Sequence, residues 1–207
     1  MDRGIFITFE GIEGSGKTTQ AKLITERLKN EGFKAIYTYE PGDTKVGSLI
    51  RNILLDPSVE INSTCELLLY FADRVQHIEE KIKSYLMDGF TVICDRFTDS
   101  TVAYQGYGRG LSLQLILKLN ETLLGSFKPD LTVLLDLPAA EGLKRNEKIN
   151  KKDRFELENL AFHERVRQGY LEIAKFDPKR FIVVDATKDF DEINEEIYRH
   201  ILWVLKK

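Results

Sequence analysis

Gly11-Ile12-Glu13-Gly14-Ser15-Gly16-Lys17-Thr18 meets the phosphate-binding loop pattern G-x-x-x-x-G-K-[ST] at each fixed position. Just upstream, Gly4-Ile5-Phe6-Ile7-Thr8-Phe9-Glu10 is a short apolar run with a β-branched and aromatic bias. Downstream, Ala21, Ile24 and Leu28 recur at helical spacing. Strand, glycine loop and helix, in that order, is the arrangement phosphate binding requires. Glycines let the backbone curl so that its N–H groups point at phosphate oxygens. The helix start, through Thr19, adds unpaired donors and the positive end of its dipole. Lys17 brings a point charge to the outer phosphates, and the Thr18 hydroxyl can ligate the Mg²⁺ that travels with them. A glycine-rich turn matching by chance is the alternative, and both flanks argue against it. Residues Gly11 to Thr19 are therefore expected to bind ATP or a related triphosphate.

At 207 residues, with 43% hydrophobic and 30% charged, the chain is expected to form a single domain over 1–207, typical of an open α/β sheet. A formal net charge of −3 argues against a nucleic-acid coat, which needs a basic excess. Cys65 and Cys94 are the only cysteines. Their isolation suggests reduced thiols rather than zinc ligands or a disulfide framework. No apolar run approaches a membrane span, and Met1-Asp2-Arg3 leads straight into the first strand, which fits no signal peptide. A cytoplasmic protein without membrane contact is the expectation.

Strand patterns over 5–10, 35–39, 91–95, 131–136 and 181–185 alternate with helical patterns over 17–30, about 45–55, 63–87, 112–124, 139–147, 158–175 and 191–205. Such alternation predicts a five-stranded parallel sheet with helices on both faces. Ser63-Thr64-Cys65-Glu66 reads as a capping box opening the third helix. Each strand ends at or just before an acid: Glu10, Glu40, Asp95, Asp136 and Asp185. The ligand crevice of an open parallel sheet lies outside these carboxyl ends. The acids could instead cap the following helices, a reading as good as the functional one for Asp136 and Asp185. For Glu10 and Asp95 the loop context favours function.

Further segments carry a family resemblance. Phe9 to Gln20, Glu40-Pro41-Gly42, Ala72-Asp73-Arg74-Val75-Gln76-His77 and Cys94-Asp95-Arg96-Phe97 through Ala103-Tyr104-Gln105-Gly106 together resemble thymidylate kinases. Pro129-Asp130-Leu131-Thr132, Asp136, Pro138 and Gly142-Leu143-Lys144-Arg145 extend the match. The resemblance covers nearly the whole chain, in order. It implies a nucleoside monophosphate kinase-like fold and transfer of the ATP γ-phosphoryl group to dTMP, with Mg²⁺ as cofactor and a homodimer as the assembly.

It also implies roles, and the chemistry of each is sensible. Phosphoryl transfer between two anions needs cations from several directions. Arg96 would fork onto the dTMP phosphate, where a bidentate donor suits. Arg51 resembles a second phosphate clamp, although a solvated helix face would explain it too. Tyr70 and Arg74, four apart in sequence, share a helix face. Tyr70 stands where the family usually has a phenylalanine stacking on thymine, and Arg74 resembles the group that bonds the base carbonyl at its 4-position. Phe71 is expected in the core. Thr101 and Gln105 resemble further base and sugar contacts, and Tyr104 the ring that crowds the 2′ position. Glu40 belongs to the same acceptor pocket. Glu10 resembles an acid reaching the sugar 3′-hydroxyl or a metal-bound water; Asp95, with Thr18, resembles the Mg²⁺ ligand set.

The basic run Lys144, Arg145, Lys148, Lys151, Lys152 and Arg154 resembles a lid at about 144–154. The phosphate loop offers Glu13 and no arginine, as in the bacterial-type subgroup whose lid supplies the catalytic cation. Arg145 and Arg154 are the candidates, with Lys148 possible. A lid excludes water that would otherwise accept the phosphoryl group. One departure concerns Tyr39-Glu40-Pro41-Gly42-Asp43-Thr44, where the family often reads Arg-Glu-Pro-Gly-Gly-Thr. The lost arginine and added acid should make that loop less positive.

A nucleotide-dependent switch is the competing class. Asn150-Lys151-Lys152-Asp153 spells the guanine-reading motif of GTPases, but in a strandless basic stretch, and Asp95-Arg96-Phe97-Thr98 stands where such a switch needs Asp-x-x-Gly. Another nucleoside monophosphate or deoxynucleoside kinase is the alternative within kinases.

Overall fold

The computed structural model describes residues 4–147 and 153–206. Five strands, β1 (Phe6–Glu10), β2 (Ala35–Tyr39), β3 (Thr91–Asp95), β4 (Leu131–Asp136) and β5 (Phe181–Asp185), form one sheet in the order β2-β3-β1-β4-β5. Every neighbouring pair is parallel. The expected strands are thus present, the first starting at Phe6 rather than Ile5.

Side chains of β1 alternate between two cores, as a sheet covered on both faces demands. Phe6 packs with Ile78, Ile82, Leu86, Val92 and Phe97. Ile7 and Phe9 join Ala21, Ile24, Leu28, Val133 and Val166 on the other side. The covering helices are α1 (Lys17–Asn30), α2 (Lys45–Leu55), α3 (Ser63–His77), α4 (Lys83–Met87), α5 (Thr98–Thr101), α6 (Leu113–Leu124), α7 (Ala139–Glu147), α8 (Leu160–Phe176) and α9 (Phe190–Leu205). Both cysteines are free, Cys65 exposed and Cys94 buried. Among the described residues no helix is long and apolar enough to cross a membrane.

Two sequence expectations need correction, and one helical segment lies outside the expected patterns. The helix expected over 63–87 is interrupted by a π-helical turn, Ile78–Ile82, between α3 and α4. Its start is capped by Asn62, whose side chain accepts from the Thr64 N–H at 2.9 Å, so Ser63 and Glu66 form no capping box. Glu66 turns inward instead, at 1% exposure. Finally, 98–108 is helical, α5 running into a π-helical turn, Val102–Gly108. Its residues from Asp99 to Gly106 are all buried, so the apolar stripe that reveals a surface helix never develops.

Candidate active site

The carboxyl ends of β1, β2 and β3 open into a cleft of about 790 Å³. Its floor is the phosphate loop, between β1 and α1. Gly14 and Gly16 hold φ of 73° and 85°, a region where only glycine is comfortable. Gly16 caps α1 without any side-chain acceptor, leaving the first N–H groups of the helix to the cleft. Lys17 is nearly buried and donates to the Ile12 carbonyl at 3.2 Å. Burial, aided by the nearby Arg96, pulls its ammonium down to about 8. The Thr18 hydroxyl bonds Asp95, whose other oxygen, Oδ1, is buried with no partner among the described residues.

Arg96 follows β3 with a φ of 71°, a strained value for a side-chain-bearing residue and one that recurs at functional sites. Its guanidinium donates to the Gly11 carbonyl at 3.0 Å and to Ser100 and Tyr170 at 3.1 Å. Toward the loop it donates to Glu13 at 2.9 Å and Tyr104 at 3.1 Å. Burial alone would raise the Glu13 carboxyl, but Arg96, His163, Lys17 and Tyr104 outweigh it and hold Glu13 well below the usual carboxylate range.

Glu10 is not at the cleft surface. Fully buried, it accepts from the Phe97 N–H at 2.7 Å, the Ser100 hydroxyl at 2.6 Å and the Tyr170 hydroxyl at 3.0 Å. Burial, then the charge of Asp99, pushes its carboxyl up to about 7.

The far wall comes from α3 and the 98–108 helix. Arg74 is 1% exposed. It donates to Glu40 at 2.8 Å, Thr101 at 2.9 Å and the Phe97 carbonyl at 3.0 Å. Glu40 also meets His77 Nδ1 at 3.0 Å. Tyr70 is half-buried against Phe155, ring centroids 6.3 Å apart, while Phe71 lies in the core. Gln105 lines the cleft and donates to Glu66 at 2.9 Å. Arg51 reaches the Pro41 carbonyl at 2.6 Å and lies over the Tyr39 ring.

The lid candidates divide. Arg145 lines the cleft, bonded to Glu141 at 3.3 Å and the Ala186 carbonyl at 3.2 Å. Arg154 turns to Glu66 and to the Leu54 carbonyl, the latter at 3.0 Å, and does not line the cleft. Lys148, Lys151 and Lys152 lie outside the described residues, as does most of the GTPase-like tetrapeptide. The added acid Asp43 pairs with Lys81 at 3.0 Å and bonds Thr38. Its charge is thus offset by Lys81, while Tyr39 still leaves that loop without the arginine the family often has.

A family model described as "Thymidylate kinase" matches residues 9–197. The chain belongs to the thymidylate kinase family. A "Thymidylate kinase" of Deinococcus radiodurans is 48% identical over 96% of each chain. One of Halothermothrix orenii is 48% identical over 99% of this chain and 100% of the relative. The crystal structure of thymidylate kinase from Ehrlichia chaffeensis superposes with a TM-score of 0.78 at 39% identity, covering 99% of this chain and 100% of that one.

Against the thymidylate kinase motifs, the fold brings Glu13, Lys17, Thr18, Glu40, Arg51, Tyr70, Arg74, Asp95, Arg96, Thr101, Tyr104 and Gln105 to one cleft. Glu10 and Arg154 are turned elsewhere. Tyr170 and His163 on α8, and Glu66 on α3, escaped the sequence reading. Tyr170 meets Glu10 across 160 positions of chain, and no local pattern announces such a contact.

Proposed function

We propose that this chain phosphorylates dTMP to dTDP with ATP as donor, a step of dTTP synthesis. The observation that carries the reading is the juxtaposition of the phosphate loop with Arg96 across one cleft, Glu13 at 2.9 Å joining them. Two anionic ends can meet only where cations approach from both sides.

In this reading the loop N–H groups and Lys17 hold the triphosphate. Arg96, its fork held by Tyr104, Ser100 and Tyr170, orients the acceptor phosphate, with Arg51 as second clamp. The attacking phosphate oxygen is already ionised at neutral pH, so no general base is required. Tyr70 stacks on the base, Arg74 and Thr101 read its edge, and Tyr104 crowds the 2′ position. Glu10 acts from behind, holding Ser100 and Tyr170. Among the described residues of the basic run, Arg145 lines the cleft, and it is the first candidate for the lid cation. Arg154 is the second candidate, and to reach the phosphates it must leave Glu66 and the Leu54 carbonyl.

The orphaned Asp95 Oδ1 beside the Thr18 hydroxyl is a hard-oxygen donor set that fits Mg²⁺. Mg²⁺ bound there would neutralise charge on the phosphates. We also assign one domain with a lid at 144–154, a cytoplasmic location and a homodimer. Exposed Val46, Leu49 and Ile53 on α2, with Leu68 on α3, form an apolar stripe that supports self-association.

The test is ADP production from Mg-ATP with dTMP, dUMP, UMP, CMP, AMP and thymidine offered separately. Strong preference for dTMP is expected. Equal ADP production without any acceptor would overturn the kinase reading in favour of a nucleotide switch.

A further inference from the structure

Glu66 collects more donors than any surface helix residue needs. Buried on the first turn of α3, it accepts from Gln105 Nε2 at 2.9 Å, from Arg109 Nε at 3.3 Å, and from Arg154. Only one of these partners, Gln105, also lines the cleft. The bond to Gln105 has a directional consequence. A carboxylate accepts and does not donate, so the amide must turn its NH₂ toward Glu66. That leaves the carbonyl, Oε1, as the end facing the cleft. Arg74 lines the same cleft and can only donate; with Nε on Glu40, Nη1 on Thr101 and Nη2 on the Phe97 carbonyl, the second hydrogens of Nη1 and Nη2 are the donors it has left for a base.

We infer that Glu66 is a specificity-determining positioning residue: by fixing the Gln105 amide it presents an acceptor beside the Arg74 donors, an edge that fits a 4-oxo pyrimidine. Such a base offers a ring N–H and an adjacent carbonyl, complementary to acceptor and donor. A 4-amino pyrimidine offers a ring lone pair and an N–H₂, which oppose both. Without Glu66 the amide is free to flip and tolerate the wrong edge. A site built on buried, oriented polar groups rejects a mismatched partner far better than shape alone does. Arg109 and Arg154 neutralise the carboxylate and hold it in place, but neither sets the direction of the amide.

The inference rests on the proposed dTMP kinase reading, and the probe is chosen to separate the two. 5-Methyl-dCMP keeps the methyl group, sugar and phosphate of dTMP and changes only the base edge. The unaltered protein should use dTMP and reject 5-methyl-dCMP; failure to use dTMP overturns the kinase reading itself. In Glu66→Gln the ratio of kcat/KM for dTMP over 5-methyl-dCMP should fall roughly tenfold or more, mostly through KM for dTMP, with KM for ATP unchanged. In Arg109→Gln, which removes an ion pair but keeps the Gln105 bond, the ratio should hold. An unchanged ratio in Glu66→Gln, or an equal fall in Arg109→Gln, overturns the inference and leaves Glu66 a structural hub. Should Glu66→Gln fail to fold, the unaltered protein gives the answer by NMR. With dTMP bound, the Gln105 side-chain NH₂ should keep the chemical shifts it has in the free protein and show no cross-peak to the base. A cross-peak between that NH₂ and the base would mean the base takes the NH₂, and would overturn the assignment.

Discussion

Arg96 Nη2 lies 2.9 Å from Glu13 Oε1, tying the end of β3 to the phosphate loop across the cleft floor. The guanidinium proposed to grip the acceptor phosphate is thus already oriented by an anion that belongs to the loop. Acceptor binding must share or displace that contact, which makes the pair a point where binding at one end of the cleft is felt at the other.

Arg96→Ala should therefore cost about 10²–10³-fold in turnover, with a large rise in KM for dTMP. Arg96→Lys keeps the charge but loses the fork and should recover only a small part. Steady-state kinetics in both substrates distinguish these outcomes, and near-normal turnover in Arg96→Ala would remove it from the mechanism.

Lid variants separate two geometries. Arg145 lines the cleft and Arg154 is bonded to Glu66. Arg145→Ala should lower turnover about ten- to a hundredfold while changing ATP affinity little. Arg154→Ala should also lower turnover more than ATP affinity if that side chain swings in during closure. Unchanged turnover in a single-turnover assay would leave it as an anchor of the lid root.

Stability should respond to pH through Glu10, pushed from 4.5 up to about 7. Below about 4.5 both folded and unfolded chains carry the proton, and between there and about 7 only the folded chain does. The unfolding free energy must then fall as pH rises through this window, by up to ~3 kcal/mol. Above it, the ionised carboxylate carries the full cost. Asp73, also raised to about 7 by burial and by Glu40, acts in the same sense. Urea melts from pH 5 to 8 should show this slope, reduced but not abolished in Glu10→Gln. A slope identical to the parent's would exclude Glu10 as a source.

Gly142 lets α7 close onto the phosphate loop. A Cβ there would lie 2.5 Å from the Glu13 carbonyl oxygen, and backbone cannot move aside cheaply. Gly142→Ala should destabilise by ~1–3 kcal/mol and raise KM for ATP, because the loop itself must shift. Thermal melts paired with ATP titration test this, and normal ATP binding would show that the loop absorbs the contact.

The sequence by itself determined the sheet and the phosphate site. Those features are local: alternating strand and helix periods, and a loop whose glycines, Lys17 and Thr18 are specified within eight residues. Tertiary structure alone decided where several of the charged side chains went. Glu10 ends a strand as Asp95, Asp136 and Asp185 do, yet the Phe97 N–H and the Tyr170 hydroxyl draw it behind the cleft. Arg154 belongs to a basic run, yet buried Glu66 claims it. Asp43 adds an acid to the β2 loop, yet Lys81 neutralises it at 3.0 Å. The 98–108 helix was hidden for a related reason: packed on all sides, it carries no apolar stripe. A backbone period can be read from neighbours in sequence, but a polar or charged side chain goes to whichever donors, acceptors or counter-charges the fold brings within reach, and those are distant in sequence.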